Sequence, residues 1–125
     1  QFYQEQIELL PEMREALDLC QSHQFQLGII TNGPAAHQRK KIELLNLFNW
    51  IPVENIFISG ESGFAKPDSR LFQLAEEKMN LKKSTTYYVG DSYNNDVLGA
   101  KRVGWQSIWI NRREHAPTNP MILSQ

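Results

Sequence analysis

Only one of the 125 residues is a cysteine, Cys20, so an internal disulfide is excluded and a reduced, cytoplasmic setting fits best. No run of about 18 apolar residues occurs, which excludes an apolar helix spanning a membrane. Neither sign of charge dominates. Thirteen Lys and Arg stand against fourteen Asp and Glu, a formal net charge of −1. No global field draws in nucleic acid or an anionic membrane, so neither is expected as a partner. The N-terminal stretch "QFYQEQIELLPEM" is too polar for a signal peptide and has no methionine at its start. Internal repeats, a G-x-S-x-G elbow and a glycine-rich dinucleotide fingerprint are all missing. His23, His37 and His115 lack metal-ligand spacing. What is present is 41% apolar residues, enough for the core of one domain.

Those apolar residues alternate between two periods. From Glu12 to about His23, Met13, Ala16, Leu17 and Cys20 recur at three- and four-residue steps, the pattern of an amphipathic helix. "FQLGIIT" (25–31) is a short buried strand closed by the turn "NGP". "AAHQRKKIELLNL" (35–47) returns to helix, with Arg39, Lys40 and Lys41 on its solvated face. "NIFISG" (55–60) is a strand. Asp68 or Ser69 caps a helix running to Met79. "TTYYVG" (85–90) is a strand, "NNDVLGAKRVG" a helix closed by Gly104, and "QSIWIN" (106–111) a strand. Trp105 and Trp109 read as core. The tail is mostly loop, with one short strand at Met121–Leu123. Strands alternating with helices predict a three-layer, Rossmann-like α/β fold with a parallel sheet. Ligands then bind at the carboxyl ends of the strands.

Three strand exits carry unusual chemistry. Thr31-Asn32-Gly33 offers a hydroxyl, an amide and a flexible backbone that can hold phosphate oxygens, or it is an ordinary turn. Lys66 can neutralise a phosphoryl group, or it is a solvated lysine before a helix cap. "GDSYNND" (90–96) places Asp91 one residue past a strand and Asp96 at the start of a helix. Mg²⁺ takes one or two carboxylates plus water and substrate oxygens. Helix capping by Ser92, Asn94 or Asn95 accounts for one cap and one acid, but not for an aspartate held at the strand exit behind a glycine.

Taken in order, "GIITNG", "AKPD" and "GDSYNND" resemble the second, third and fourth motifs of the haloacid dehalogenase-like hydrolase superfamily. "LLPEM", "ISGESGFAKPD" and "GDSYNNDVLGAKRVGW" are similar to its nucleotidase and phosphoglycolate-phosphatase-like branch. The resemblance implies a Mg²⁺-dependent phosphatase acting on a small phosphomonoester, such as a nucleotide or sugar phosphate. It implies that Thr31, Asn32, Gly33 and Lys66 bind the phosphoryl group and that Lys66 also balances charge on the nucleophile. It further implies that Asp91 binds Mg²⁺ directly while Asp96 holds a metal-bound water or Lys66. Residues 1–11 then end a helical cap or its return linker, and 12–125 form the core domain.

The superfamily's Asp-x-Asp nucleophile motif has no counterpart in these residues. Asp18 lies in the helical stretch "ALDLC" and Asp68 caps a helix, and neither follows an apolar strand. The expectation is a C-terminal piece of a phosphatase, inactive alone, partnered by a missing N-terminal segment of the same protein. The alternative is a non-catalytic phosphate- or metal-binding or interaction module of the same fold. The strand order implied by the resemblance also leaves a one-strand gap between "FQLGIIT" and "TTYYVG". Unpaired apolar edges are costly. The gap is therefore expected to be filled by the missing segment, by a strand from a second copy in a homodimer, or by direct pairing of its two walls.

Overall fold

The computed structural model describes residues 9–110 and 121–124. Helix α1 (Pro11–Ser22) begins with proline, which lacks only an N–H that a first helical turn leaves unpaired. Strand β1 (Gln26–Thr31) follows, then α2 (Ala35–Leu44), β2 (Ile56–Ile58) and a single helical turn, α3 (Ser59–Ser62). Helix α4 (Ser69–Met79) is capped by Asp68, whose carboxylate accepts the Arg70 N–H at 2.9 Å. Strand β3 (Thr86–Gly90) runs through a π-type turn (Tyr93–Val97) into α5 (Leu98–Arg102). Strands β4 (Gln106–Trp109) and β5 (Met121–Ser124) complete the sheet.

The spatial order is β2-β1-β5-β3-β4. Strand β1 pairs with β2, and β3 with β4, in parallel. Each residue run alternates between two faces, and helices cover both. Ile30, Tyr88 and Ile122 face α4 and α5 and pack with Leu71, Phe72, Ala75 and Trp105. Leu27, Ile29 and Met121 face α1 and α2 and pack with Leu17 and Ile42. These are the three layers that the alternating pattern predicts.

The gap between β1 and β3 is closed in a way the sequence reading did not anticipate. The chain's own C-terminal strand β5 occupies it, antiparallel to both neighbours. Gly28 and Tyr88 flank Ile122, while Ile29 and Val89 flank Met121. The physical reason lies in "MILS". A central strand must be apolar towards both helix layers, and Ile122 and Met121 point to opposite layers and are both buried. Trp109 pairs with Gly90 and Met121 with Val89, so β4 ends and β5 begins at one end of the sheet. From there β5 can only run back. The expected strand at Met121–Leu123 is thus present, but at the centre of the sheet. None of the three expected fillers is needed, and the sheet is mixed rather than wholly parallel.

Candidate active site

Strands β1 and β3 aim their carboxyl ends in one direction, and the loop after β2 reaches the same place. Lys66 is at its centre. Its side chain and that of Asp96 are 5% and 2% exposed. Lys66 Nζ donates to Asp96 Oδ1 at 2.7 Å and to the Tyr88 hydroxyl at 3.1 Å. Tyr88 in turn donates to the Ile30 carbonyl at 2.8 Å. An ammonium has three N–H donors, so among the described residues one is left without a partner. Burial pushes Lys66 below the usual lysine range, while Asp96 and, less strongly, Asp91 push it back up. Burial, reinforced by Asp96 and Asp91, pushes Tyr88 well above the usual phenol range, so it stays a neutral hydroxyl.

Asp96 is an anchor for this lysine. Its second oxygen, Oδ2, accepts the Ser92 N–H at 3.0 Å. Both oxygens are therefore occupied within the fold. Gly90 explains why the acid can come so close to the strand. A Cβ at position 90 would sit 2.4 Å from the Asp96 Cβ and Oδ2. Ser92 also caps the turn, its hydroxyl accepting the Asn95 N–H at 3.2 Å. Within "GDSYNND", capping thus falls to Ser92, while Asp96 is paired with Lys66.

The other expected residues converge unequally. Asn32 clamps the lysine loop: its Oδ1 accepts the Lys66 N–H at 2.8 Å and its Nδ2 donates to the Lys66 carbonyl at 3.2 Å. The Gly33 N–H donates to Ser59 Oγ at 2.8 Å, so this amide is tied to the β2 exit. Thr31 is buried and its Oγ1 accepts a hydrogen bond from Gln38. Asp91 is exposed, and among the described residues its carboxylate makes no hydrogen bond. Its main-chain carbonyl accepts the Trp109 indole N–H at 3.1 Å. Trp109, expected in the core, is 47% exposed and packs edge-on to Tyr93. It stands at the end of the outermost strand, which among the described residues has only β3 beside it.

Sequence reasoning missed Tyr88, Gln38 and Trp109 as parts of the site. Strand alternation puts Tyr88 opposite Tyr87 and Val89. Nothing local says that Lys66 lies on that side. Gln38 was hidden in a helix whose polar residues read as solvated.

A divalent cation finds partial accommodation. Among the described residues no three His, Cys, Asp or Glu side chains converge on one point. Among the described residues Asp91 is the one acid at the site whose oxygens are free, and a single carboxylate is an ordinary protein contribution to Mg²⁺. The chain's own donor set therefore fits Mg²⁺ through Asp91, with Asp96 acting through Lys66 and Ser92 rather than as a ligand.

The chain is 30% identical over 115 residues to a glyceraldehyde 3-phosphate phosphatase from Methanothermobacter thermautotrophicus, covering 87% of this chain and 50% of that protein. It is 33% identical over 104 residues to a phosphoserine phosphatase from Thermus thermophilus, covering 83% and 41%. The chain thus spans about half the length, or less, of these relatives. The solved structure of the putative HAD-hydrolase YfnB from Bacillus subtilis, bound to magnesium, superposes with a TM-score of 0.76 at 30% identity, covering 94% of this chain and 52% of that one. Residues 1–104 match the family described as haloacid dehalogenase-like hydrolase. With this match over most of its length and the lysine, threonine and aspartate gathered at the strand ends, the chain belongs to the haloacid dehalogenase-like hydrolases.

Proposed function

We propose that this chain provides the phosphoryl-binding and metal-binding part of a Mg²⁺-dependent phosphomonoester hydrolase. The substrate is a small phosphate ester of the sugar-phosphate, nucleotide or phosphoserine type. The observation that carries the reading is the buried Lys66, fixed by Asp96 and Tyr88 with one N–H uncommitted. Keeping an ammonium buried is costly, and a phosphoryl oxygen is a fitting acceptor for its last proton. Phosphoryl transfer is chiefly positioning and cancellation of charge on equatorial oxygens. Thr31 would donate its hydroxyl to one oxygen, Lys66 its free N–H to another, and Asn32 would hold the lysine loop in place. Asp91 would hold Mg²⁺, which supplies further positive charge against the phosphoryl group. The aspartyl nucleophile would come from outside these 125 residues, since no Asp-x-Asp pair follows a strand here. The names of the two phosphatase relatives and of the magnesium-bound structure support this reading.

Calorimetric titration of the chain with inorganic phosphate in the presence of Mg²⁺ tests it. Binding is expected, weakened about tenfold or more in Asp91→Asn, which takes away a charge-assisted contact. No phosphate binding by the wild type would overturn the reading. The chain alone is expected not to hydrolyse an aryl phosphate, because Thr31 and Lys66 have no positioned nucleophile to serve. Turnover that Asp91→Asn abolishes would show that a nucleophile is present after all.

A further inference from the structure

Gln38 stands on α2, seven positions after Thr31, and is 9% exposed. Its side-chain nitrogen Nε2 lies 2.6 Å from Thr31 Oγ1 and 3.1 Å from the Asn32 carbonyl. A carbonyl can only accept, so the atom facing it is the amide nitrogen and not the amide oxygen. An amide NH₂ has two protons, and these two partners use both. Thr31 Oγ1 is therefore an acceptor on its Gln38 side. Its own single proton must point elsewhere. Among the described residues no acceptor takes it. Gly33 lets this arrangement exist: its φ is +140°, and a Cβ there would come within 3.0 Å of Gln38 Cγ and 3.1 Å of Cδ.

We propose that Gln38 is a positioning residue that holds the Thr31 hydroxyl as a donor aimed at the bound phosphoryl oxygen. This rests on the phosphoryl reading of the site. Without Gln38 the hydroxyl is free to rotate, and the Asn32 carbonyl loses its donor. With Gln38, the carbonyl is already served and the donor is set before the ligand arrives. Donors fixed in advance are worth more to an anion than donors that must reorganise.

A double-mutant cycle on inorganic phosphate binding, with Mg²⁺ present, tests it. Thr31→Val is expected to weaken phosphate about tenfold, the loss of one hydrogen bond to a charged group. Gln38→Met, of similar volume, is expected to weaken it about three- to tenfold. In the Thr31→Val background, Gln38→Met should add nothing, because the hydroxyl it orients is gone. Equal losses in both backgrounds would mean that Gln38 acts on the fold at large, and would overturn the inference while leaving the phosphate reading intact. No phosphate binding by the wild type overturns both. Should Gln38→Met fail to fold, Gln38→Glu serves in the same cycle. Its carboxylate would draw the Thr31 proton away from the ligand, and the part of its effect that passes through Thr31 should again vanish with Thr31→Val.

Discussion

At the scale of single residues, the candidate site is built on a buried ion pair, Lys66 with Asp96. Removing one partner of such a pair typically costs about 3–5 kcal/mol, whereas replacing both with apolar residues is often neutral or stabilising. Lys66→Met and Asp96→Leu should therefore each destabilise the fold by about that much. The double variant should recover most of the loss in urea denaturation while phosphate binding stays abolished. A double variant as unstable as the sum of the singles would contradict this. Gly90→Ala puts a methyl group 2.4 Å from the Asp96 side chain. It should displace Asp96 from Lys66 and weaken phosphate binding in the same titration, where an ordinary surface Gly→Ala change would not. At this scale the sequence was partly legible. Thr31, Lys66 and Asp91 stood out because strand exits concentrate ligand chemistry. Tyr88 and Gln38 did not, because their roles depend on which element packs across from them.

At the scale of elements, the ties between helix and sheet are specific and titratable. Glu76 on α4 accepts Lys83 Nζ at 2.7 Å and the Trp105 indole N–H at 2.8 Å. Burial raises the Glu76 carboxyl, but the hydrogen bonds from Lys83 and Trp105 together outweigh it and hold the group below its usual 4.5. A depressed folded-state value means that the unfolded chain binds the proton first as pH falls. The stability from Glu76 is thus fully present above about 4.5 and is lost as pH drops through the lower folded value. The thermal midpoint of Glu76→Gln should lie below that of the wild type at pH 6, and the gap should narrow below pH 4. A constant gap would place the effect in packing alone. Strand β5 gives a second check. Ile122 is fully buried between β1 and β3, and Ile122→Ala should cost about 2–5 kcal/mol. A loss under about 0.5 kcal/mol, typical of surface changes, would mean that β5 does not hold the centre of the sheet. Here the sequence showed the existence and type of nearly every element, because each has a clean period. It did not show the place of β5. Three apolar residues and a serine, Met121–Ser124, fit an edge or a centre equally well, and only the vacancy between β1 and β3 selects the centre.

At the scale of the whole molecule, the three layers serve to bring three strand exits to one point. The α1–α2 layer and the α4–α5 layer fix the sheet from both sides. Antiparallel pairing of both β1 and β3 with β5 sets Thr31 and Gly90 at the same end. The fold class and the order of the motifs were legible because they are one-dimensional features. The mixed sheet was not, because strand direction at the centre follows from where β4 ends, a three-dimensional fact. The proposed function requires Thr31, Lys66 and Asp91 to form one phosphoryl and Mg²⁺ site. Two ligands sharing a site bind with mutual coupling, and the coupling factor is the same in either direction. Calorimetry of the wild-type chain should show Mg²⁺ tightening inorganic phosphate and phosphate tightening Mg²⁺ by one common factor, with that factor falling to unity in Asp91→Asn. Phosphate binding that is indifferent to Mg²⁺ in the wild type would contradict it.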